Sequence, residues 1–126
     1  MASTTHRPVF LNLLQIRLPV PGLMSIGHRI SGVALVIATP FLAHWLALSL
    51  SGPEGFMRAA AALQALPGKL LFFLMAWGLL HHLFAGIRYL LLDLDVGVDR
   101  PTARASAWAV LVAAPPAALL LTGVLL

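Results

Sequence analysis

Two adjacent histidines, His81 and His82, lie near the middle of a long apolar stretch, where ionisable side chains are costly and usually functional. Residues four apart share a helix face, so His82 lies between Gly78 and Gly86, whereas His81 shares its face with the bulky Trp77. The glycine strip would let a flat macrocycle approach the backbone, which makes His82 a candidate haem ligand. Small residues at this spacing also pack helices together, so a helix–helix contact with His82 hydrogen-bonded across it is the alternative. We expect His81 to be a packing histidine.

A second polar group lies further towards the N-terminus, where Ser25 and Arg29 form an i, i+4 pair with His28 on an adjacent face. A hydroxyl donor beside a guanidinium near a helix N-terminus suits a carbonyl oxygen or a transient anion. A quinone head group that is being reduced presents both. The alternative is an interfacial arginine that extends to lipid phosphate and sets the topology.

Two further charged residues follow the histidine pair. Arg88 could pair with a haem propionate, or it could simply end the helix at the membrane interface. Asp93 lies eleven residues after His82, close to three helical turns, and therefore on the same face. It could relay protons to a quinone or only offset the charge of Arg88. We expect His44, within the first apolar stretch, to be a packing residue.

Three apolar stretches carry these residues, over residues 30–51, 70–87 and 105–126. Each is long enough to cross about 30 Å of hydrocarbon at 1.5 Å per residue, and lipid requires backbone groups to be paired within a span. The sequence therefore predicts an all-α integral membrane protein with three transmembrane helices over about 22–51, 68–93 and 104–126. We expect one membrane domain over 1–126, with residues 1–21 as a cytoplasmic arm.

Composition restricts the function classes further. Charged residues make up 10% of the 126, against about 25% in soluble domains. The net charge is only +4 and forms no basic stripe with interleaved aromatic residues, which argues against a nucleic-acid partner. Cysteine is absent, so this chain cannot hold a Cys-ligated iron–sulfur cluster. Three spans leave no room for a soluble catalytic domain, so soluble chemistry would belong to another chain.

The distribution of basic residues predicts the orientation of the helices, because cytoplasmic loops are enriched in arginine and lysine. An N-terminus inside the cell places six arginines on the cytoplasmic side and only Arg58 and Lys69 on the other. We therefore expect the C-terminus to lie outside. The six cytoplasmic residues are Arg7, Arg17, Arg29, Arg88, Arg100 and Arg104.

The polar segments resemble the signatures of a known family. Arg7-Pro8, then QIRLP at 15–19, then SIGHRISG at 25–32 resemble the N-terminal signature of the cytochrome b556 subunit of succinate dehydrogenase. HLFAGIRYLLLDL at 82–94 resembles its second signature, and PEGF at 53–56 recurs in bacterial members. The similarity covers about residues 7 to 95, and both signatures fall at predicted helix boundaries in the right order.

The resemblance implies a membrane anchor of respiratory complex II that is not catalytic alone. It implies that His82 is an axial ligand of a haem b shared with a second anchor subunit. It implies that Ser25 and Arg29 contact ubiquinone, with His28 and Arg29 also near the haem propionates. Succinate would be oxidised in a flavoprotein subunit, and an iron–sulfur subunit would pass electrons to the quinone. The location implied is a bacterial inner membrane, rather than a mitochondrial one.

Two positions depart from the family pattern. Tyr89 stands where a histidine usually follows the Gly-Ile-Arg sequence, and Gly27 stands where a larger apolar residue is common. Two other functions remain open from the sequence. One is the anchor of a fumarate reductase, which runs the same chemistry in reverse, and the other is a structural anchor without a cofactor.

Overall fold

The computed structural model describes residues 17–126, and within that range the chain is entirely helical, with four helices. Three are long: α1 spans Val20–Ser49, α3 spans Leu66–Asp93 and α4 spans Arg100–Leu125. A short helix, α2, spans Pro53–Gln64 and connects α1 to α3. The predicted all-α fold is confirmed.

The three long helices have the composition and length of membrane spans. With 30, 28 and 26 residues they extend about 45, 42 and 39 Å, all longer than the roughly 30 Å of bilayer hydrocarbon. Large apolar side chains are exposed along all three, which is the arrangement expected where lipid or other membrane helices are the solvent. The exposed residues include Val36, Phe41, Leu74, Leu90, Val112 and Leu119.

Small residues dominate the buried contacts between the long helices. Ala85 of α3 and Ala107, Ala114 and Ala118 of α4 are completely buried, so the helix backbones approach one another closely. This is the usual way in which membrane helices associate, since apolar burial gives no driving force in lipid. Met24 of α1 is the one large side chain in the described residues that is fully buried, and it packs with Ala85 and Ala107.

Helix α4 runs antiparallel to α3 and is tied to it at both ends. The turn between them contains Asp95 and Gly97, with φ of 58° and 76°. Asp99 caps α4 by accepting hydrogen bonds from the backbone N–H and the hydroxyl of Thr102, which lower the pKa of its carboxyl. At the opposite end, Lys69 Nζ donates to the Leu126 carbonyl at 3.1 Å.

The observed bounds differ from the expected ones by at most four residues. Helix α4 begins at Arg100 rather than near 104, because Asp99 caps it and Pro101 occupies its first turn. Helix α2 lies between the first two predicted membrane spans, where the sequence predicts no helix. His6, Arg7-Pro8 and most of the predicted arm over 1–21 fall outside the described residues.

Candidate functional site

The imidazole of His82 is held by hydrogen bonds from α3 to the facing turn of α1. Its Nδ1 lies 3.0 Å from the backbone carbonyl oxygen of His28 and 3.2 Å from the hydroxyl of Ser31. The Ser31 hydroxyl itself donates to the same carbonyl at 2.9 Å. The three groups form one small network across the α1–α3 contact.

This network fixes the tautomer of His82. A backbone carbonyl can only accept a hydrogen bond, so the proton must be on Nδ1. In the neutral ring, the remaining nitrogen, Nε2, then carries the lone pair, and it has no hydrogen-bond partner among residues 17–126. Metal-bound histidines typically donate their other N–H to a backbone carbonyl or carboxylate. In His82, likewise, Nδ1 is engaged by a backbone carbonyl and Nε2 is not.

Gly32 provides the room for the His82 ring. A methyl group built on Gly32 would lie 2.9 Å from His82 Cε1, closer than side chains tolerate. We call the three α1 groups that contact this ring, namely the His28 carbonyl, the Ser31 hydroxyl and Gly32, the His82 pocket. Ser31 is 93% buried at the centre of the contact.

The side chain of His28 adds aromatic contacts on the outer side of the same ring. Its imidazole stacks on His82 with ring centroids 4.0 Å apart and planes inclined by 12°. Tyr89 meets His28 edge-on at 5.3 Å. The tyrosine that departs from the family pattern is therefore a packing partner of His28.

His81 has a different environment from its neighbour. It is buried, and its Nε2 has no hydrogen-bond partner among the described residues. A methyl group built on Gly27 of α1 would lie 2.8 Å from that nitrogen. The small residue at position 27, which the sequence left unexplained, thus makes room for the His81 ring.

Three of the predicted site residues line one open groove beside α1. His28, Arg29 and His82 contribute to it, and its volume is about 500 Å³. Its remaining lining is apolar apart from Gly32: Val33, Val36 and Ile37. Ser25 is half-buried one turn before Arg29, which is exposed, and Asp93 is exposed at the last turn of α3.

Arg88 points to another part of the molecule. It is 93% buried, with its Nε donating to Ser106 Oγ and its Nη2 to the Ala103 carbonyl, both at 2.9 Å. Its guanidinium carbon lies 5.8 Å from the centroid of the Tyr89 ring. Two of its five donors thus join α3 to α4, and its placement near a propionate stays a prediction.

The glycine strip beside His82 is open at one end. A methyl group on Gly78 would meet no atom of the described residues within 4 Å, and one on Gly86 would lie 3.9 Å from His28 Nε2. The strip is therefore not used for packing α3 against α1 at Gly78. The alternative interpretation of His82 was a hydrogen bond across a helix–helix contact. Such a bond exists, but it involves only Nδ1 of the ring.

Sequence reasoning gave Ser31 and Gly32 no role, although both hold the His82 ring. The available signal was the Ser-Gly pair that directly follows His28, Arg29 and Ile30. A small hydroxyl residue next to a glycine inside a membrane helix indicates a close helix contact with one hydrogen bond. Its partner on α3 could be identified only from the crossing of the two helices.

Together these features define a class: a multi-pass α-helical membrane protein that presents one oriented histidine beside a groove. Comparisons with known proteins give the family. A family model described as "Succinate dehydrogenase/Fumarate reductase transmembrane subunit" matches residues 3–122. The chain belongs to this family.

Three similar proteins share one name. The chain is 37% identical over 107 residues to the succinate dehydrogenase cytochrome b556 subunit of Coxiella burnetii, covering 84% of this chain and 86% of the relative. It is 31% identical over 106 residues to the subunit of that name from Paracoccus denitrificans, covering 84% and 82%. It is 30% identical over 106 residues to the subunit of that name from Rickettsia felis, covering 84% of this chain and 82% of the relative. The expected family is confirmed.

Proposed function

We propose that this chain is a membrane anchor subunit of succinate dehydrogenase and supplies His82 as an axial ligand of haem b. The observation that supports this most is the hydrogen bond from His82 Nδ1 to the His28 carbonyl. In the neutral imidazole, this bond leaves the lone pair on Nε2. The relatives are named as cytochrome b556 subunits, which agrees with a haem b.

A b-type haem with two protein ligands needs a second residue beyond His82. We assign this second ligand to a companion anchor subunit, as the family resemblance implies, and that subunit would pack against the exposed apolar faces of the long helices. When bound, the haem would accept and donate single electrons. This chain would hold the haem and exclude water from the face of the haem that it covers.

The quinone site is assigned to Ser25 and Arg29 on the first turns of α1. They lie on one helix face, and Arg29 is exposed and lines the groove that His82 also lines. A serine hydroxyl can donate to a quinone carbonyl, and a guanidinium stabilises an oxygen that gains negative charge. Ubiquinone is the substrate that these residues would orient.

Charged residues near these sites have secondary roles in the proposal. His28 and Arg29 would lie near the haem propionates, and Arg88 would contribute its remaining donors there. Asp93 is exposed at the end of α3 and would pass protons towards the quinone. Asp93 is the last residue of α3. In the predicted orientation, it would lie on the same side of the membrane as the start of α1.

The complex would include soluble partners, since the relatives are named as subunits of succinate dehydrogenase. A flavoprotein subunit would oxidise succinate, and an iron–sulfur subunit would dock beside the start of α1 and deliver electrons. The excess of arginine on that side supports a cytoplasmic N-terminus in a bacterial inner membrane.

A reduced-minus-oxidised spectrum of the purified complex tests the proposal. A b-type band in proportion to this chain is expected. Its absence would favour a cofactor-free structural anchor, in which the histidines only pack. If haem is present, the succinate-oxidising and fumarate-reducing rates with matched quinones separate a succinate dehydrogenase anchor from a fumarate reductase anchor.

A further inference from the structure

We propose that α1 determines which of the two adjacent histidines of α3 binds the haem iron. In this scheme His81 Nε2 is enclosed next to Gly27 and cannot reach the iron. The His82 pocket holds the other nitrogen of His82, Nδ1, and leaves its Nε2 available to the iron. The inference rests on the proposed haem function and adds positioning roles for Gly27, Ser31 and Gly32.

The two histidines differ in which ring nitrogen contacts α1. At His81, Nε2 is the buried atom and faces the backbone of Gly27, where a methyl group would be only 2.8 Å away. A metal approaches a histidine nitrogen to about 2.0 Å and along its lone pair, which needs open space. That nitrogen is enclosed in the α1–α3 contact, so coordination through His81 Nε2 would require the two helices to separate.

At His82 the engaged nitrogen is the opposite one. Nδ1 donates to the His28 carbonyl and is 3.2 Å from the Ser31 hydroxyl. Ser31 Oγ donates its own proton to the His28 carbonyl. It can therefore only accept from His82 Nδ1–H, as a second acceptor beside that carbonyl. Two acceptors on Nδ1–H raise the basicity of Nε2, which strengthens its bond to iron and favours the oxidised metal.

The helix geometry explains how one helix can select between adjacent residues. Successive residues on a helix are 100° apart, so His81 and His82 lie on either side of the completely buried Ala85. The buried residues of α1 are Met24 and Ser31, which share one face of the helix. Gly27 and Gly32 lie on either side of that face. Each glycine thus receives one imidazole.

The experiment uses the complete complex, expressed with its companion subunits, and measures haem per chain and the midpoint potential of the haem. Gly32→Ala should lose most of its haem, because the methyl displaces the His82 ring. Gly123→Ala is the matched control, since a methyl there meets no atom of the described residues within 4 Å, and it should keep full haem content.

Ser31 is tested with a conservative pair. Ser31→Ala should weaken haem binding about tenfold, at the low end of the loss expected when such a supporting group is removed, and should shift the midpoint potential to more positive values. Ser31→Thr retains the hydroxyl and should restore both. A merely structural serine would change the amount of complex but not the potential.

Gly27 is tested by a double-mutant cycle. Gly27→Ala should reduce haem content because its methyl collides with His81, and His81→Ala in the same chain should restore it. Normal haem content in Gly27→Ala would overturn the role given to Gly27, and so would a double variant as deficient as the single one.

The remaining outcomes separate the two proposals. His82→Ala with unchanged haem would overturn the proposed function itself. Loss of haem in His82→Ala, with normal haem and potential in Gly32→Ala and Ser31→Ala, would overturn this inference and leave the proposed function standing.

Discussion

The imidazole rings of His28 and His82 are stacked, with centroids 4.0 Å apart and planes inclined by only 12°. The backbone carbonyl of His28 also accepts a hydrogen bond from Nδ1, at the edge of the His82 ring. One residue of α1 therefore restrains the proposed ligand in two directions, by a hydrogen bond in the ring plane and by a flat contact on one face. The backbone bond survives any substitution of the His28 side chain, so the two restraints can be tested separately.

His28→Phe should retain more haem than His28→Ala, because phenylalanine preserves the stacked contact while removing the ring nitrogens. A stacked aromatic pair contributes about 0.5–1.5 kcal/mol beyond its buried area, so His28→Ala should lose roughly 2- to 13-fold in haem affinity. Haem titration of the haem-depleted complex measures this. Equal loss in both variants would assign the effect to the nitrogens of His28, as expected of a propionate partner.

Arg29→Ala should reduce quinone-dependent turnover roughly 10- to 150-fold, the value of a charge-assisted hydrogen bond of about 1.5–3 kcal/mol. Ser25→Ala should cost less, because its hydroxyl is uncharged. The paired assay compares quinone reduction with reduction of a dye that accepts electrons from the soluble subunits. The dye rate should stay unchanged in both variants. A parallel fall of both rates would show that Arg29 holds the complex together.

Arg88→Lys should destabilise the complex, since lysine lacks the planar fork that reaches Ser106 and the Ala103 carbonyl at once. Each charge-assisted bond that is lost should cost on the order of 1.5–3 kcal/mol. Thermal unfolding of the purified complex measures the loss, with the exposed Arg104 changed to lysine as the control. An unchanged unfolding temperature with a shifted haem potential would instead place Arg88 at a propionate.

Gly78→Ala should lower the haem content although its methyl meets no atom of the described residues within 4 Å. The physical reason is that the open strip beside His82 is where the macrocycle would approach α3. Gly123→Ala has an equally free methyl and should have no effect. Full haem content in Gly78→Ala would mean that the haem does not cover this strip.

The three long helices follow from the sequence because membrane spans are determined by local hydropathy and length. The observed bounds lie close to those expected, and Asp99 with Pro101 explains the largest difference. Helix α2 was missed because its alanines and single charged pair, Glu54 with Arg58, carry little apolar signal. Its close packing at Gly55 against Leu48 and Ser51 depends on the preceding turn.

The candidate ligand could also be named from the sequence, since the family signature includes His82. The groups that orient it could not, because the crossing of α1 and α3 decides which α1 residues meet the ring. The same limitation applies to Arg88, which sequence reasoning placed at a propionate or a helix end. Its contacts to Ser106 and Ala103 join residues 15 to 18 positions apart and depend on the turn between α3 and α4.

Comparing His82→Ala with His81→Ala in the same complex tests whether His82, and not its neighbour, binds the haem. The measurement is the reduced-minus-oxidised spectrum, normalised to the amount of this chain. His82→Ala should abolish or strongly alter the b-type band, because Nε2 of His82 is the nitrogen without a hydrogen-bond partner among the described residues. His81→Ala should leave the band largely intact, because its Nε2 is buried against Gly27. Equal behaviour of the two variants, or loss of the band only in His81→Ala, would contradict the assignment.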